Sequence, residues 1–297
     1  MRITIVCDVL GEENNGTTIT AKRLINHLKE RGHYVKVISP NKAEEEGFYE
    51  VPTMNFGIFN KYIAKNGVKI AKADKNVLKL ALEGAEVVHI MLPFSLGRAA
   101  IKMCVANGIP VTAGMHTQAE NVTSHFFLKN IKCANDLVYS SMLRVLYRYV
   151  DAIHCPSNFI AHVAQDHKYK APTYVISNGV IPLFKPNRGP KPKELEDKYL
   201  ILFIGRFSRE KRHDLLIRAV SESKYRDKIQ LIFAGDGPLK ENMIHLGKRI
   251  LKHEPIIHFF PKEELVKVIN YCDLYVHPSD AEIEGIFNPK KNGCFDH

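Results

Sequence analysis

The residues best suited to chemistry form a basic turn in the second half of the chain. The turn follows an apolar run at residues 200–204 and begins at Gly205; its polar side chains are those of Arg206, Ser208, Arg209, Lys211 and Arg212. Apolar residues then recur at helical spacing, which predicts a buried strand, a tight turn and an amphipathic helix. Guanidinium and ammonium groups beside free backbone N–H groups at a helix N-terminus can bind phosphate. A basic turn that is simply solvated explains the same residues.

A second polar group follows a short predicted strand at residues 111–114. It comprises His116, Thr117, Gln118, Glu120 and Asn121. Sites in open α/β sheets lie at the carboxyl ends of strands, so this group could hold a polyhydroxylated ligand. It could also cap the N-terminus of the next helix, and the two interpretations do not exclude each other.

Both groups belong to an alternation of strand-like and helix-like segments that predicts an α/β fold. The chain opens with a strand at residues 2–7, a polar loop, a helix that Thr17 or Thr18 can cap, and a second strand at residues 34–38. The loop lacks Gly-x-Gly-x-x-Gly, which argues against an NAD site. Four prolines between residues 182 and 192 mark a linker. We therefore expect two doubly wound, Rossmann-like domains at residues 1–182 and 199–297, joined by 183–198, with a ligand cleft between them.

Charge and cysteine spacing limit the function classes. The net charge of +10 over 297 residues indicates an anionic partner, which could be a nucleotide, a nucleic acid or a membrane surface. No motif supports nucleic-acid binding. The N-terminus does not resemble a signal peptide, and no stretch reaches the roughly 18 apolar residues of a membrane span. Scattered cysteines without a Cys-x-x-Cys pair predict reduced thiols in a cytoplasmic protein and no metal site, and His154 beside Cys155 is interpreted as strand-end packing.

A lysine-rich segment lies between residues 53 and 79. Its lysines alternate with apolar residues, among them Phe56, Phe59, Tyr62, Ile63 and Val68. Such a segment can lie on an anionic membrane surface, which would place the protein at the inner face of the cell membrane. A helix whose lysines face solvent is the alternative.

Five short motifs, taken in order, resemble those of glycosyltransferase family 4 in the GT-B class. They are His116-Thr-Gln, Ile176-Ser-Asn-Gly-Val180, Gly205-Arg206 with Lys211, Gly235-Asp-Gly-Pro238, and Glu282 before Gly285-Ile286. Each motif is weak alone, but their order and separations match the family along most of the chain. The residues around His116 and the lysine-rich segment are most similar to the branch that glycosylates diacylglycerol or other lipid acceptors.

The resemblance implies retaining transfer of a sugar from a nucleotide sugar, most often a UDP-sugar such as UDP-glucose, to a lipid or glycan acceptor, with no metal or other cofactor. Arg206 and Lys211 match the family's diphosphate-binding pair, which stabilises the negative charge of the departing nucleoside diphosphate. His116 matches a histidine near the transferred sugar, and Glu282 matches the first glutamate of an E-x7-E pattern that contacts the sugar hydroxyls. The other donor-binding residues that the likeness implies are Asn15, Gly16, Gly235, Gly237, Gly285 and Ile286.

The C-terminal segment departs from the family pattern. The second glutamate of E-x7-E, which holds the ribose of the nucleotide, would fall at position 290, where this sequence has Lys290. A lysine side chain donates hydrogen bonds but cannot accept them, and Pro289 interrupts the apolar helix expected there. We therefore expect the second domain to be incomplete, in a shortened or frame-shifted relative. Two functions stay open: an active glycosyltransferase, or an impaired relative that only binds nucleotide sugars or a membrane surface.

Overall fold

The chain folds into two compact units, Met1–Asn178 and Gly179–His297. The computed structural model describes residues 1–10, 16–41, 45–55, 57, 70–124, 128, 130–179, 183–187 and 189–284. Each unit contains a parallel sheet with helical connections, as the alternation of segments in the sequence predicts.

The sheet of the first unit has seven parallel strands in the order β3-β2-β1-β4-β5-β6-β7. The strands are β1 Arg2–Val6, β2 Tyr34–Ser39, β3 Phe48–Glu50, β4 Val87–Ile90, β5 Val111–Gly114, β6 Ala152–Cys155 and β7 Thr173–Val175. The chain adds strands on one side of β1 up to β3, and then on the other side from β4 onward. A reversal of this kind opens a crevice outside the carboxyl ends of the strands on either side of it, here β1 and β4.

The described part of the first unit contains six α-helices, and glycine and serine residues mark several of their ends. They are α1 Gly16–Glu30, α2 Lys75–Leu82, α3 Ser95–Asn107, α4 Ala119–Thr123, α5 Lys132–Val145 and α6 Asn158–Asp166. Gly32 and Gly108 take positive φ angles after α1 and α3, where a residue without Cβ is favoured. The hydroxyl of Ser157 accepts a hydrogen bond from the backbone N–H of Ile160 and so caps α6.

The inner strands of this sheet carry buried apolar side chains on both faces because helices cover both faces of a parallel sheet. Ile5, Val37, Val88 and Ile90 are all fully buried. Burial of each such side chain contributes about 1.5–3 kcal/mol of hydrophobic stabilisation. The polar residues that follow the strands are thereby held at the carboxyl edge of a rigid sheet.

The described part of the second unit holds a parallel sheet of four strands in the order β10-β9-β8-β11. The strands are β8 Tyr199–Ile204, β9 Ile229–Ala234, β10 Ile256–His258 and β11 Leu274–Tyr275, and the helices are α7 His213–Glu222, α8 Lys240–Ile250 and α9 Lys262–Tyr271. The strand order reverses between β8 and β11. The carboxyl ends of these two strands therefore form the switch point of the second sheet.

Two apolar clusters cover the faces of the second sheet. One contains Leu200, Leu202 and Ile204 from β8, and the other contains Phe203 and Phe207 with residues of α7. Phe184 and Leu195, from the segment predicted as a linker, pack in the first cluster. This segment thus contributes Phe184 and Leu195 to the core of the second unit.

The strands predicted at residues 2–7, 34–38, 111–114 and 200–204 are present, with ends that differ by at most one residue. The predicted cap of the first helix is wrong: α1 already begins at Gly16, so Thr17 and Thr18 lie inside its first turn. Thr18 is fully buried, so its side chain faces the interior of the unit. Of the helices in the described ranges, none is long and apolar enough to cross a membrane.

Candidate functional site

The basic turn lies at the carboxyl end of β8, as the sequence predicts. After β8 the chain forms a 3₁₀ turn at Arg209–Lys211 and enters α7 at His213. Arg212, between them, has a φ of +53°, a left-handed backbone conformation that non-glycine residues rarely adopt. Ion pairs with Asp214 and Asp280 hold its guanidinium in place, at 3.3 and 3.2 Å. Arg206 is half-buried in the same turn.

Gly235 and Gly237 join this turn to the loop that follows β9. A Cβ atom on Gly235 would lie 2.1 Å from the carbonyl oxygen of Gly205, and one on Gly237 would lie 2.7 Å from the backbone nitrogen of Phe207. Gly237 also has a φ of +153°. The backbone N–H of Phe207 donates to the carbonyl of Asp236 at 3.0 Å. The two glycines are thus required for close backbone packing, and their contact with a donor stays a prediction.

Lys211 and Glu282 meet at the switch point of the second sheet. The Lys211 ammonium donates to Glu282 Oε2 at 2.6 Å, and His277 Nε2 lies 2.6 Å from the same oxygen. Glu282 follows β11 and Lys211 follows β8, so the strand order brings together residues that are 71 positions apart. The structure therefore places two of the predicted site residues in one charged cluster.

Opposing effects determine the ionisation of Glu282. Burial raises the pKa of a carboxyl, but the hydrogen bond from His277 and the positive charge of Lys211 together hold the pKa of Glu282 below its usual value. Glu282 is therefore a carboxylate at neutral pH, although it is half-buried. A carboxylate with two oxygens can accept hydrogen bonds from Lys211 and His277 and still accept from a sugar hydroxyl.

His277 is a site residue that the sequence analysis missed. Its Nδ1 lies 3.0 Å from the hydroxyl of Tyr275, and its ring stacks on Phe203 with centroids 5.2 Å apart and an interplanar angle of 5°. Contacts with Tyr275 and Phe203 therefore hold the His277 ring in the orientation that brings Nε2 to Glu282. The sequence feature that could have identified His277 is its position after the apolar run at residues 274–276, because sites of α/β proteins lie at the C-terminal ends of strands.

His213 is a second residue that the analysis of the sequence did not single out. It stacks on Phe207 with centroids 4.2 Å apart and lies edge-on to Phe203 at 4.3 Å. Burial lowers its pKa to about 3, and the charge of Lys211 adds to this effect. The ring is therefore neutral at physiological pH and serves as an aromatic support beneath the basic turn.

In the first unit, His116 follows β5 and is only 5% exposed. Burial holds its pKa well below the usual value, with smaller effects from His154 and His89. Its Nε2 atom is buried and has no hydrogen-bond partner within the described ranges. A neutral buried imidazole with an unused nitrogen can accept or donate one hydrogen bond to a ligand.

The capping interpretation of the group around His116 is confirmed in part. Asn121 Oδ1 accepts a hydrogen bond from the backbone N–H of Gln118 at 2.9 Å, at the start of α4. Glu120 accepts a hydrogen bond from the Tyr139 hydroxyl at 2.9 Å. These two contacts are internal to the first unit and leave the binding role of His116 as a prediction.

The remaining predicted site residues lie at or beyond the ends of the described ranges. Gly16 is the first residue of α1, the helix that follows β1 in the chain. Asn15, Gly285, Ile286 and Lys290 lie outside the described residues, as do residues 56 and 58–69 of the lysine-rich segment. Their assignment therefore stays a prediction from the sequence.

Comparison with protein families finds two matches that together cover most of the chain. Residues 14–182 match the model of Glycosyltransferase Family 4, and residues 185–288 match the model of Glycosyl transferases group 1. The second match includes the basic turn and Glu282.

Curated relatives match nearly the whole chain at low identity. Alpha-monoglucosyldiacylglycerol synthase of Streptococcus pneumoniae is 26% identical over 310 residues, which cover 96% of this chain and 68% of the relative. A GDP-mannose-dependent alpha-mannosyltransferase of Corynebacterium glutamicum is 23% identical over 308 residues, which cover 95% of this chain and 68% of the relative.

Solved structures share the fold. HepE of Anabaena, in complex with UDP-glucose, superposes with a TM-score of 0.65 at 16% identity and covers 95% of this chain and 75% of its own. Sucrose-phosphate synthase from Thermosynechococcus elongatus gives 0.69 at 15% identity, with 96% and 77% covered. Since the first family model covers more than half of the sequence, the chain belongs to glycosyltransferase family 4 and has the GT-B fold.

Proposed function

We propose that the protein transfers a sugar, with retention of configuration, from a nucleotide sugar to a lipid or glycan acceptor. The observation that carries the proposal is the cluster of Lys211, Glu282 and His277 at the switch point of the second sheet. A cation for the diphosphate and a carboxylate for the sugar lie side by side there. Switch points are where open α/β sheets bind nucleotides.

The basic turn is assigned to the diphosphate of the donor. When the glycosidic bond breaks, negative charge develops on the departing nucleoside diphosphate, and fixed cations lower the barrier by stabilising it. Arg206 and Lys211 supply these cations, so the transfer step requires no divalent ion. In the structure Lys211 is paired with Glu282. A diphosphate would compete for the Lys211 ammonium, while His277 keeps the Glu282 carboxylate in position.

The sugar is assigned to Glu282 and His116. Glu282 accepts hydrogen bonds from the sugar hydroxyls, and His116 bonds a hydroxyl or stabilises charge near the anomeric carbon. The acceptor oxygen attacks the anomeric carbon from the face that the diphosphate leaves, and its proton passes to the departing phosphate oxygen. The bond from the anomeric carbon to the phosphate oxygen breaks as the new glycosidic bond forms, which retains the configuration.

The relatives support the substrate classes to be tested. One is named as a synthase of monoglucosyldiacylglycerol, and another as dependent on GDP-mannose. HepE was solved with UDP-glucose. UDP-glucose is therefore the first donor, GDP-mannose is the second, and diacylglycerol is the first acceptor.

Ligand-dependent thermal stability, followed by transfer of labelled sugar, tests the proposal. A nucleotide that binds only the folded state raises the melting temperature, with an effect that grows with its concentration relative to Kd. We expect UDP-glucose to raise it and labelled glucose to appear in the lipid fraction. Binding without transfer to any acceptor would instead support the binding-only function. If the chain melts cooperatively and no nucleotide sugar changes its melting temperature, both the transfer function and the binding-only function are contradicted.

A basic groove in the first unit supports contact with an anionic membrane surface. The groove, of about 700 Å³, is lined by Arg144, Arg148, Lys168 and Lys170, with Leu143 and Val150 beside them. These four cations come from α5, the 3₁₀ turn after it and the loop after α6. A basic groove with apolar residues fits the phosphate headgroups of anionic lipids and would hold the enzyme peripherally at its acceptor. The lysine-rich segment contributes Lys72, Lys75 and Lys79 to the described surface.

A further inference from the structure

Three histidines from separate parts of the first sheet converge at its carboxyl side. They are His89 in β4, His116 just after β5, and His154 in β6. One ring nitrogen from each lies within 4.8 Å of those of the other two. The rings of His116 and His154 meet edge to face, with centroids 5.2 Å apart. Adjacent strands β4, β5 and β6 thus present three imidazoles to a single point.

Two of these rings carry a buried nitrogen without a partner. His89 Nε2 and His116 Nε2 are both buried and make no hydrogen bond within the described ranges. Buried polar atoms in folded proteins are nearly always satisfied by protein, water or an ion. Two such atoms within one cluster of three histidines indicate a ligand that can accept electron density from both.

Hydrogen bonds to protein involve one ring nitrogen of His154 and one of His89. His154 Nε2 lies 2.6 Å from the carbonyl oxygen of Ile176, which can only accept, so this nitrogen carries the proton and Nδ1 keeps its lone pair. His89 Nδ1 lies 2.8 Å from the hydroxyl of Thr112. Metal-binding histidines are commonly fixed in this way, with one ring nitrogen bonded to protein and the other facing the ion.

We propose that His89, His116 and His154 form a binding site for a divalent transition metal ion, with Zn²⁺ as the best match. Neutral imidazole suits Zn²⁺, Cu²⁺ and Ni²⁺, whereas Mg²⁺ and Ca²⁺ prefer oxygen ligands. Three histidines leave a fourth position for water or another ligand. Tetrahedral bonds of about 2.05 Å would place the three nitrogens about 3.4 Å apart, so small ring movements suffice. His154 is half-buried, which leaves a path for entry from solvent.

The absence of a sequence motif is consistent with this site. Metal motifs are recognised from ligands close in sequence, whereas these histidines lie 27 and 38 positions apart along the chain and meet only through strand pairing of β4, β5 and β6. The inference does not depend on the proposed function, since metal binding is measured without any substrate. If His116 also acts on the donor sugar, a bound ion occupies its ring nitrogen, and we then expect Zn²⁺ to inhibit transfer.

Equilibrium dialysis of the purified full chain against Zn²⁺, with metal quantified by mass spectrometry, tests the site. We expect one tightly held ion per chain, and a melting temperature that Zn²⁺ raises and a chelator lowers again. Co²⁺ should replace Zn²⁺ and show the visible absorption of a low-coordinate nitrogen site.

Variants separate this site from other metal ligands. Loss of a residue that only hydrogen-bonds a metal ligand lowers metal affinity by about 10- to 100-fold. His154→Gln removes a ligand itself and should lower Zn²⁺ affinity by more than this. Thr112→Val removes only the hydroxyl beside His89 and should lower Zn²⁺ affinity by about tenfold. His162→Ala and Cys133→Ser remove an exposed histidine and an exposed thiol of the same unit and should have no effect. Circular dichroism spectra of the variants check that each one is folded.

Three results would overturn the proposal. One is a folded wild-type chain that retains no stoichiometric Zn²⁺. Another is equal affinity in the wild-type chain and in folded His154→Gln. The third is loss of binding in Cys133→Ser, which would assign the ion to a surface thiol.

Discussion

Glu282 is the residue on which the charged cluster of the second unit depends. It accepts from Lys211 and His277 at 2.6 Å each, and the ring of His277 is itself held by Tyr275 and Phe203. A side chain fixed by two donors keeps its orientation when a ligand arrives, and a positioned group contributes more to binding and catalysis than a mobile one. In the proposed donor complex, Lys211 would exchange Glu282 for the diphosphate.

Lys211→Ala should weaken binding of UDP-glucose by about ten- to a hundredfold. Hydrogen bonds to charged groups contribute about 1.5–3 kcal/mol, and part of this is offset here because the pair with Glu282 is lost as well. Isothermal titration calorimetry measures the change. Lys252→Ala removes an exposed lysine of the same unit and serves as the matched control. Equal affinities in the two variants would exclude Lys211 from the donor site.

His213 should make the stability of the second unit depend on pH below neutrality. Its pKa is about 3 in the folded state and about 6.5 in the unfolded state, so between these values the unfolded chain binds a proton that the folded chain does not. Its contribution is therefore fully present above pH 6.5 and is lost as the pH falls toward 3. The loss approaches about 1.4 kcal/mol per pH unit.

His213→Phe should remove this dependence, whatever its effect on stability at neutral pH. Urea denaturation at pH 7.5 and 5.5 gives the change in free energy of unfolding for each protein. We expect the change to be smaller in His213→Phe than in the wild-type chain, and unaltered in His245→Gln, which replaces an exposed histidine. If the wild-type chain and His213→Phe respond equally to pH, the buried ring is not the cause.

At the scale of elements, two turns at the carboxyl edge of the second sheet are packed backbone to backbone. The loop after β9 contacts the basic turn after β8 at Gly205 and Phe207. Hydrogen bonds between backbone groups fix the height of the basic turn above the sheet. The position of Lys211 thus depends on a loop that is separated from it by α7 and β9.

Gly235→Ala should destabilise the second unit by about 2 kcal/mol or more. Its Cβ would lie 2.1 Å from the Gly205 carbonyl oxygen, and backbone cannot move aside as a flexible side chain can. Chemical denaturation followed by circular dichroism measures the loss. Gly189→Ala, in the same unit but with open space around the new Cβ, should leave the midpoint unchanged or slightly raised. A stable Gly235→Ala would mean that the two turns are not in close contact.

At the scale of the whole molecule, the excess of positive charge bears on the proposed contact with an anionic membrane. The net charge is +10, and four cations line one groove of the first unit. Each basic residue near an anionic membrane contributes about 1 kcal/mol of attraction, which salt screens over about 10 Å at 0.1 M. A groove of this charge therefore favours anionic over neutral lipid surfaces.

Charge reversal in the groove should release the protein from anionic vesicles. We expect the double variant Arg144→Glu with Lys170→Glu to bind vesicles of phosphatidylglycerol at least tenfold more weakly than the wild-type chain. The matched variant Lys224→Glu with Lys228→Glu makes the same change of net charge on the second unit. Vesicle pelleting at rising salt measures both. Equal losses in the two variants would show that net charge, and not the groove, drives binding.

The sequence by itself determined the order of elements and the family. Apolar runs of the right length predict strands such as those at 200–204 and 229–234, and the motif order identifies glycosyltransferase family 4. It also named Lys211 and Glu282 individually, because each matches a motif of the family. These features are local, so propensity, periodicity and motif spacing are enough to find them.

Only the tertiary structure decided what those residues contact. Strand order, set by long-range pairing of β8 with β11, brings Lys211 to Glu282 and adds His277, which belongs to no motif. Pairing of β5 with β4 and with β6 gathers His89, His116 and His154 in the same way. Distances across a sheet depend on which strands are neighbours, and neighbouring strands are chosen by burial of the whole core. No local stretch of sequence contains that information.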